Sequence, residues 1–277
     1  MFHAERMRTE DFSFAVQLAN NMEWNMSESD FEFMTKLEPD GCFVLFQAEE
    51  PIGIATCISY GKIGWFGNLA VKKEHRKKGA GTFLVKHAIN HLRRKGVETV
   101  GLYAYRHLVG FYEKIDFKPH DDFVVLNGKP IPSKPQKMLK KASKNDILAL
   151  VDFDKRCFGW NRKKLLESIL LQEGSLCYFS FEKDEIKGSI AAKIYEKMAE
   201  IGPLVCRDED VALELIKTML SSMRNLSVYV YAPENRKEII SALRAAGLKT
   251  NFSVTRMFLG PFAPQSCIYL PESLERG

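Results

Sequence analysis

The sequence predicts an α/β (α+β) fold built twice, two halves of similar plan joined by a proline-rich segment. Three observations carry this reading. An apolar run of strand length, 63–71, turns through a basic loop with glycines straight into a helical pattern over 81–95, where Leu84, Ala88, Ile89 and Leu92 share one face. The stretch 127–136 holds three prolines and a glycine and suits an exposed connection. Beyond it, the earlier order of helix and strand patterns returns in altered form. A length of 277 residues admits one large or two ordinary domains, and the reading here is two, 1–130 and 139–277 with a linker at 131–138.

The elements follow in order. Residues 2–6 read as a strand, and Thr9 caps a helix to about Asn20. The Ser27-x-x-Asp30 pattern starts a second helix to about Leu37. Residues 42–48 and 52–59 read as a hairpin leading into the strand 63–71. Gly96 stops the helix that follows, 97–105 is a strand, 108–114 a short helix and 123–126 a last strand. In the second half, Ser143 caps a helix to about Phe153, and Phe158-Gly159-Trp160-Asn161-Arg162 precedes another to Leu171. Strands at 176–181 and 186–194, the run 201–205, a helix over 211–224, a strand at 228–231, a helix over 235–246 and a strand through 252–259 complete it.

The loop between strand and helix, residues 72–81, concentrates positive charge where a helix N-terminus already carries roughly half a positive charge. A solvated basic turn would account for the charges alone. An anion held by bare N–H groups at the glycines removes the conflict. The spacing Arg76-x-x-Gly79-x-Gly81 resembles the acyl-CoA pyrophosphate loop of the GNAT superfamily of N-acetyltransferases. The Rossmann and Walker loops are excluded by the missing third glycine and the missing Gly-Lys-Ser/Thr ending. Residues 111–117, Phe-Tyr-Glu-Lys-Ile-Asp-Phe, are similar to that superfamily's Tyr-Glu-Lys-x-Gly-Phe ending, with Asp116 where glycine is usual. The Trp24-Asn25 pair, Phe-Gly-x-x-Arg at 158–162 and Thr255-Arg256-Met257 resemble the tandem members of the superfamily.

That resemblance implies two GNAT-like domains, each a mixed, mostly antiparallel sheet flanked by helices. It also implies direct transfer of an acetyl group from acetyl-CoA to the primary amine of a small molecule or amino acid. A peptide or protein amine, or a non-enzymatic acyl-CoA sensor, are the alternatives. The main chain of Leu69, Ala70 and Val71 would polarise the thioester and hold the pantetheine arm. Arg76, Lys77, Lys78, Gly79, Ala80, Gly81 and Thr82 would hold the phosphates, with Phe111 and Tyr112 beside the cofactor. Tyr112 would be the general acid, with Gly110 allowing its helix to approach closely. Glu23, Trp24 and Asn25 are acceptor-side candidates, as are Tyr103 and Tyr105, which alternate with Leu102 and Ala104. Relatives place a glutamate on the loop strand, but this chain has Phe66-Gly67-Asn68 there. Glu23, His75, His107 and a water chain therefore stay open as the base, with Glu23 entered as a catalytic candidate. In the second half the matching helix start, Arg207-Asp208-Glu209-Asp210-Val211-Ala212, has no glycine and three carboxylates that repel pyrophosphate. That half is read as not binding CoA.

Composition bounds the rest. Hydrophobic residues make up 45% and charged residues 27%, enough to bury a real core. The net charge of +5 is partly explained by one loop, and no aromatics interleave with it as nucleic-acid stacking requires. Six cysteines lack a C-x-x-C pair, so neither a zinc site nor a disulfide framework is expected; they read as reduced core residues of a cytoplasmic protein. Neither a metal nor a membrane segment is expected, and the N-terminus lacks a signal-peptide core.

Overall fold

A computed structural model describes residues 1–131, 139–172, 174–183, 185–195, 197–262 and 267–277. Of the expected linker only Ile131 lies among them. The first half runs β1 (Phe2–Arg6), α1 (Phe12–Asn20), α2 (Glu28–Leu37), β2 (Cys42–Gln47), β3 (Glu50–Ser59), β4 (Ile63–Val71), α3 (Ala80–Arg94), β5 (Thr99–Tyr105), α4 (Val109–Glu113) and β6 (Lys118–Gly128). The second runs β7 (Lys140–Lys141), α5 (Ile147–Phe158), α6 (Lys163–Leu171), β8 (Leu176–Glu182), β9 (Glu185–Ile194), β10 (Met198–Cys206), α7 (Glu209–Ser222), β11 (Ser227–Pro233), α8 (Lys237–Ala245), β12 (Lys249–Leu259) and β13 (Ile268–Leu270). The capping box expected at α2 is formed, with the Ser27 N–H donating to Asp30 at 2.9 Å.

All thirteen strands join one sheet, in the order β1-β2-β3-β4-β5-β12-β6-β11-β10-β9-β8-β7, with β13 added on β10. Among the described residues, only β4–β5 and β10–β11 pair in parallel, and α3 and α7 are the crossovers that parallel pairing needs. The two halves exchange strands. β12 of the second half lies between β5 and β6 of the first, and β6 pairs on its other side with β11. β6 is also far longer than the four-residue strand expected, because its polar start is paired: Arg256 on β12 makes two hydrogen bonds to the Asp121 carboxylate at 2.7 and 2.8 Å, and Thr255 donates to Asp122 at 2.6 Å.

Side-chain alternation gives the central strands two different faces. Phe66, Leu102 and Ala104 pack with α3 and with Tyr112. Trp65 and Tyr103 point the other way, into a core shared with α5 and α6. In the second half, Leu215, Ile216 and Met219 of α7 and Ile239 and Leu243 of α8 cover β10 and β11.

One expectation fails. Cys157 on α5 and Cys267, 110 residues on, form a disulfide, with Cα atoms 5.3 Å apart. Cys42, Cys57, Cys177 and Cys206 are buried free thiols, as expected. Spacing along the chain carried no sign of a pair brought together by the fold.

Candidate active site

β4 and β5 are paired only from Ile63↔Thr99 to Trp65↔Gly101. Beyond Trp65 they separate, and the β5-facing edge of residues 66–71 has no strand neighbour. On its other edge, β4 slips register against β3 between Ala70 and Gly67, so Asn68 and Leu69 form a bulge. Asn68 takes φ +48°, and its amide oxygen accepts from Thr56 at 2.7 Å. Residues 67–69 are half-buried within an otherwise buried strand.

The chain leaves this strand end through residues 72–79. Gly79 caps α3 at φ +89°, a left-handed conformation, and a Cβ there would meet nothing within 4 Å. The N–H groups of residues 77–82 donate to no protein acceptor among the described residues, and α3 has no acid in its first turn. Lys77 and Lys78 are exposed beside them. This arrangement fits an anion such as a pyrophosphate. Gly81 faces Phe111, whose ring would lie 3.5 Å from an added Cβ, bringing α4 against the start of α3.

Arg76 is committed differently from expectation. Its Nε donates to the Val71 carbonyl at 2.8 Å and its terminal nitrogen to the Met22 sulfur at 3.0 Å, so it ties the loop to the strand end and to the α1–α2 connection. His75 bonds Gln47 through Nδ1 at 2.9 Å, a structural tie to the β2–β3 turn. At that outer edge Glu50, Glu74 and His75 approach one another within 4.8 Å, with Glu50 held by Lys72 at 2.7 Å.

Tyr112 on α4 is 6% exposed and lies between Phe111 and Phe117, at ring distances of 4.9 and 5.9 Å. Burial pushes its hydroxyl well above the ordinary tyrosine value, so it stays protonated. A Cβ at Gly110 would meet nothing within 4 Å, so close approach of α4 does not depend on that glycine. Asp116 adopts φ +67° and so keeps the turn that glycine usually makes.

On the opposite face, the Trp24 indole N–H donates to the Tyr105 hydroxyl at 3.2 Å. Burial raises the pKa of Tyr105, the Trp24 bond draws it back, and the Glu23 charge raises it again, which puts Glu23 within electrostatic reach. Glu23 and Asn25 are exposed, with φ +61° and +52°. His107 stacks on Tyr105 at 5.8 Å. Tyr103 lies deeper, between Trp65 and Phe123, with its hydroxyl enclosed near Arg256. Tyr103 and Tyr105 therefore share a face as the alternation requires, but of the two it is Tyr105 that bonds the α1–α2 connection.

Nothing in the residue pattern of 271–277 marks the role of this segment, which runs between the halves. Lys193 bridges Glu272 at 2.6 Å and Glu200 at 3.1 Å, and Arg276 pairs with Glu272 at 2.7 Å. The Tyr60 hydroxyl donates to the Arg276 carbonyl at 2.9 Å, and Arg162 donates to the Gly277 carbonyl at 3.0 Å while paired with Asp154. The Phe-Gly-x-x-Arg pattern is thus an anchor: Arg162 lies 3.9 Å from the Phe158 ring centre and grips this segment. Gly67 of β4 sits under Glu275, whose Cβ would be 2.3 Å from a Cβ added there. The absence of a side chain at Gly67 was the one signal in the sequence that something else fills this space.

The second half differs at both corresponding places. The Asp208 side chain accepts from the Val211 N–H at 3.0 Å, so the start of α7 is already capped by a carboxylate. The edge of β10 at residues 204–206 is paired with β13.

Comparison with known proteins agrees with this architecture. The GNAT acetyltransferase family model matches residues 5–117, and a GNAT acetyltransferase domain model matches 150–269. No curated protein matches the sequence. A protein from Pyrococcus horikoshii described as an acetyltransferase superposes over 100% of this chain and 96% of its own, with TM-score 0.83 and 23% identity. A GCN5-related N-acetyltransferase from Sphaerobacter thermophilus covers 96% of this chain and 98% of its own, at TM-score 0.67 and 16% identity. A tandem GNAT protein from the clavulanic acid biosynthesis pathway covers 95% and 100%, at 0.65 and 12%. With a GNAT unit in each half, the chain belongs to the GNAT acetyltransferase superfamily, in tandem form.

Proposed function

We propose that the protein is an acetyl-CoA-dependent N-acetyltransferase in which residues 1–130 hold the cosubstrate and residues 139–277, beyond the linker, close the acceptor side. The observation that carries this is the contrast between the two halves. One has an uncapped, acid-free helix start beside an open strand edge; the other has its helix start capped by Asp208 and the matching edge taken by β13.

In this reading the N–H groups around Gly79, Ala80, Gly81 and Thr82 take the pyrophosphate, and Lys77 and Lys78 steer the anionic cosubstrate. Arg76 acts by shaping the loop. The pantetheine arm pairs with Leu69, Ala70 and Val71, and a main-chain N–H at the bulge polarises the thioester oxygen. Tyr112, still protonated, supplies a proton to the departing thiolate. Glu23, Trp24, Asn25 and Tyr105 form the acceptor mouth, over the wall made by Tyr103, with Glu23 there to draw a cationic amine. Residues 271–277 cover the face of β4 as far as Gly67, which favours a small molecule or amino acid over an extended peptide. A cytoplasmic setting fits the four buried thiols, while the Cys157–Cys267 pair is the observation against it.

Calorimetric titration with acetyl-CoA tests the assignment. One site per chain is expected, lost in Gly79→Asp, followed by thiol release with a panel of primary amines. Two sites would overturn the division of labour between the halves, and none would overturn the acetyl-CoA reading.

A further inference from the structure

The gap between β4 and β5 has two faces, and each presents one group suited to proton transfer. Tyr112 belongs to the core on the α3 face. Gly67 shares the orientation of Trp65, two residues before it, and so opens to the opposite face. There Glu275 lies directly on it, at the point where β4 has just parted from β5. The Glu275 side chain keeps 20% of its surface exposed, with Gly67 of the first half beneath it and the charges of Glu200 and Lys193 of the second half acting on it.

Resting on the acetyltransferase reading, we infer that Glu275 is the general base that deprotonates the acceptor amine, delivered to the active site of the first half by residues 271–277. The ammonium of the acceptor gives one proton to the Glu275 carboxylate, which returns it to water. The freed nitrogen lone pair attacks the thioester carbon, forming the C–N bond as the C–S bond breaks. The thiolate leaves with the bonding pair and takes the Tyr112 proton, and the second proton lost by the nitrogen restores Tyr112. Amide, CoA thiol and one released proton balance the reaction.

The surroundings suit the task. Burial raises the pKa of Glu275, Arg276 at 2.7 Å lowers it, and the negative charges of Glu200 on β10 and Glu272 raise it, with Lys193 on β9 opposing them. Tyr231 on β11 also feels the Glu275 charge. The net direction is upward, which suits a carboxylate that must take up a proton. Glu23, by contrast, is exposed on the α1–α2 connection.

The test compares nucleophiles on wild-type protein, Glu275→Gln and Glu23→Gln, reading thiol release from acetyl-CoA. The probes are hydroxylamine, already uncharged at neutral pH, and a panel of strongly basic primary amines that includes n-butylamine, glycine and lysine. Glu275→Gln is expected to slow transfer to the basic amines about 100-fold, with the rate then rising with pH, and to change the hydroxylamine rate by less than about threefold. Acetyl-CoA binding should be unchanged. Gly67→Ala, whose Cβ forces residues 271–277 off β4, should reproduce the pattern; should Glu275→Gln fail to fold, this variant and Glu275→Asp decide the matter by the same ratio. Equal slowing with both classes of nucleophile, no slowing, or the same selective loss in Glu23→Gln alone would overturn the assignment of Glu275 and leave the acetyltransferase reading standing. A wild type that binds acetyl-CoA but releases no thiol with any probe would overturn both.

Discussion

Trp24 donates its indole N–H to the hydroxyl of Tyr105, joining residues 81 positions apart at 3.2 Å. The bond fastens the α1–α2 connection to the end of β5. The connection is braced from behind by Asn20, whose side chain bonds the Met26 N–H and carbonyl at 2.8 and 3.0 Å, and by Asn68, whose amide reaches the Met26 sulfur at 3.4 Å. The mouth of the proposed acceptor site is therefore held by side chains from both strands that border the gap.

Tyr105→Phe removes the acceptor for the indole and little else. A partly buried hydrogen bond of this type is worth about 1 kcal/mol, roughly a fivefold change. The expected outcome is a KM for the amine raised about fivefold, with acetyl-CoA affinity and kcat held, measured by steady-state kinetics at saturating acetyl-CoA.

Tyr112→Phe should lower kcat about 100-fold without weakening acetyl-CoA binding. Burial favours the neutral hydroxyl, so the tyrosine pKa moves upward and its acidic proton is retained as pH rises. The wild-type rate should therefore show no alkaline loss at or below the ordinary tyrosine value of about 10. A pH–rate profile that falls near neutrality and loses that limb in Tyr112→Phe would contradict the role.

Thiol counting in denaturant checks the Cys157–Cys267 bond. Four thiols should titrate before reduction and six after it, since the other four cysteines are free. Closing so long a loop stabilises by about 2–4 kcal/mol, so reduction should lower the unfolding free energy by that amount, read as a lower urea midpoint.

The succession of elements was legible because each rests on local signals. Apolar runs marked β4 and β5, the Ser27/Asp30 box marked α2, and the basic glycine loop marked the uncapped start of α3. In the second half the helices and longer strands were read the same way, including the acidic start of α7 that Asp208 caps, while β7 and β13 were not foreseen. Partner choice between strands was not legible. Nothing within β12 says that Arg256 will meet Asp121 rather than a residue of its own half, because that pairing depends on how two sheets merge. The polar residues 271–277 likewise read as an unremarkable tail, since Glu272, Arg276 and Lys193 become informative only when buried together. Gly110 was misread for the converse reason: a glycine in a motif was taken to relieve a contact that the fold does not make.

The exchange of β12 into the first half bears on how the protein is made. As the chain is synthesised, β5 has no neighbour on its outer edge until residues near 254–259 emerge, and the face of β4 stays uncovered until residues 271–277 follow. The first half is thus translated before the strand and the segment that complete it. Until β12 pairs, the first half therefore carries an open β-edge, the kind of exposed strand that templates association with other chains.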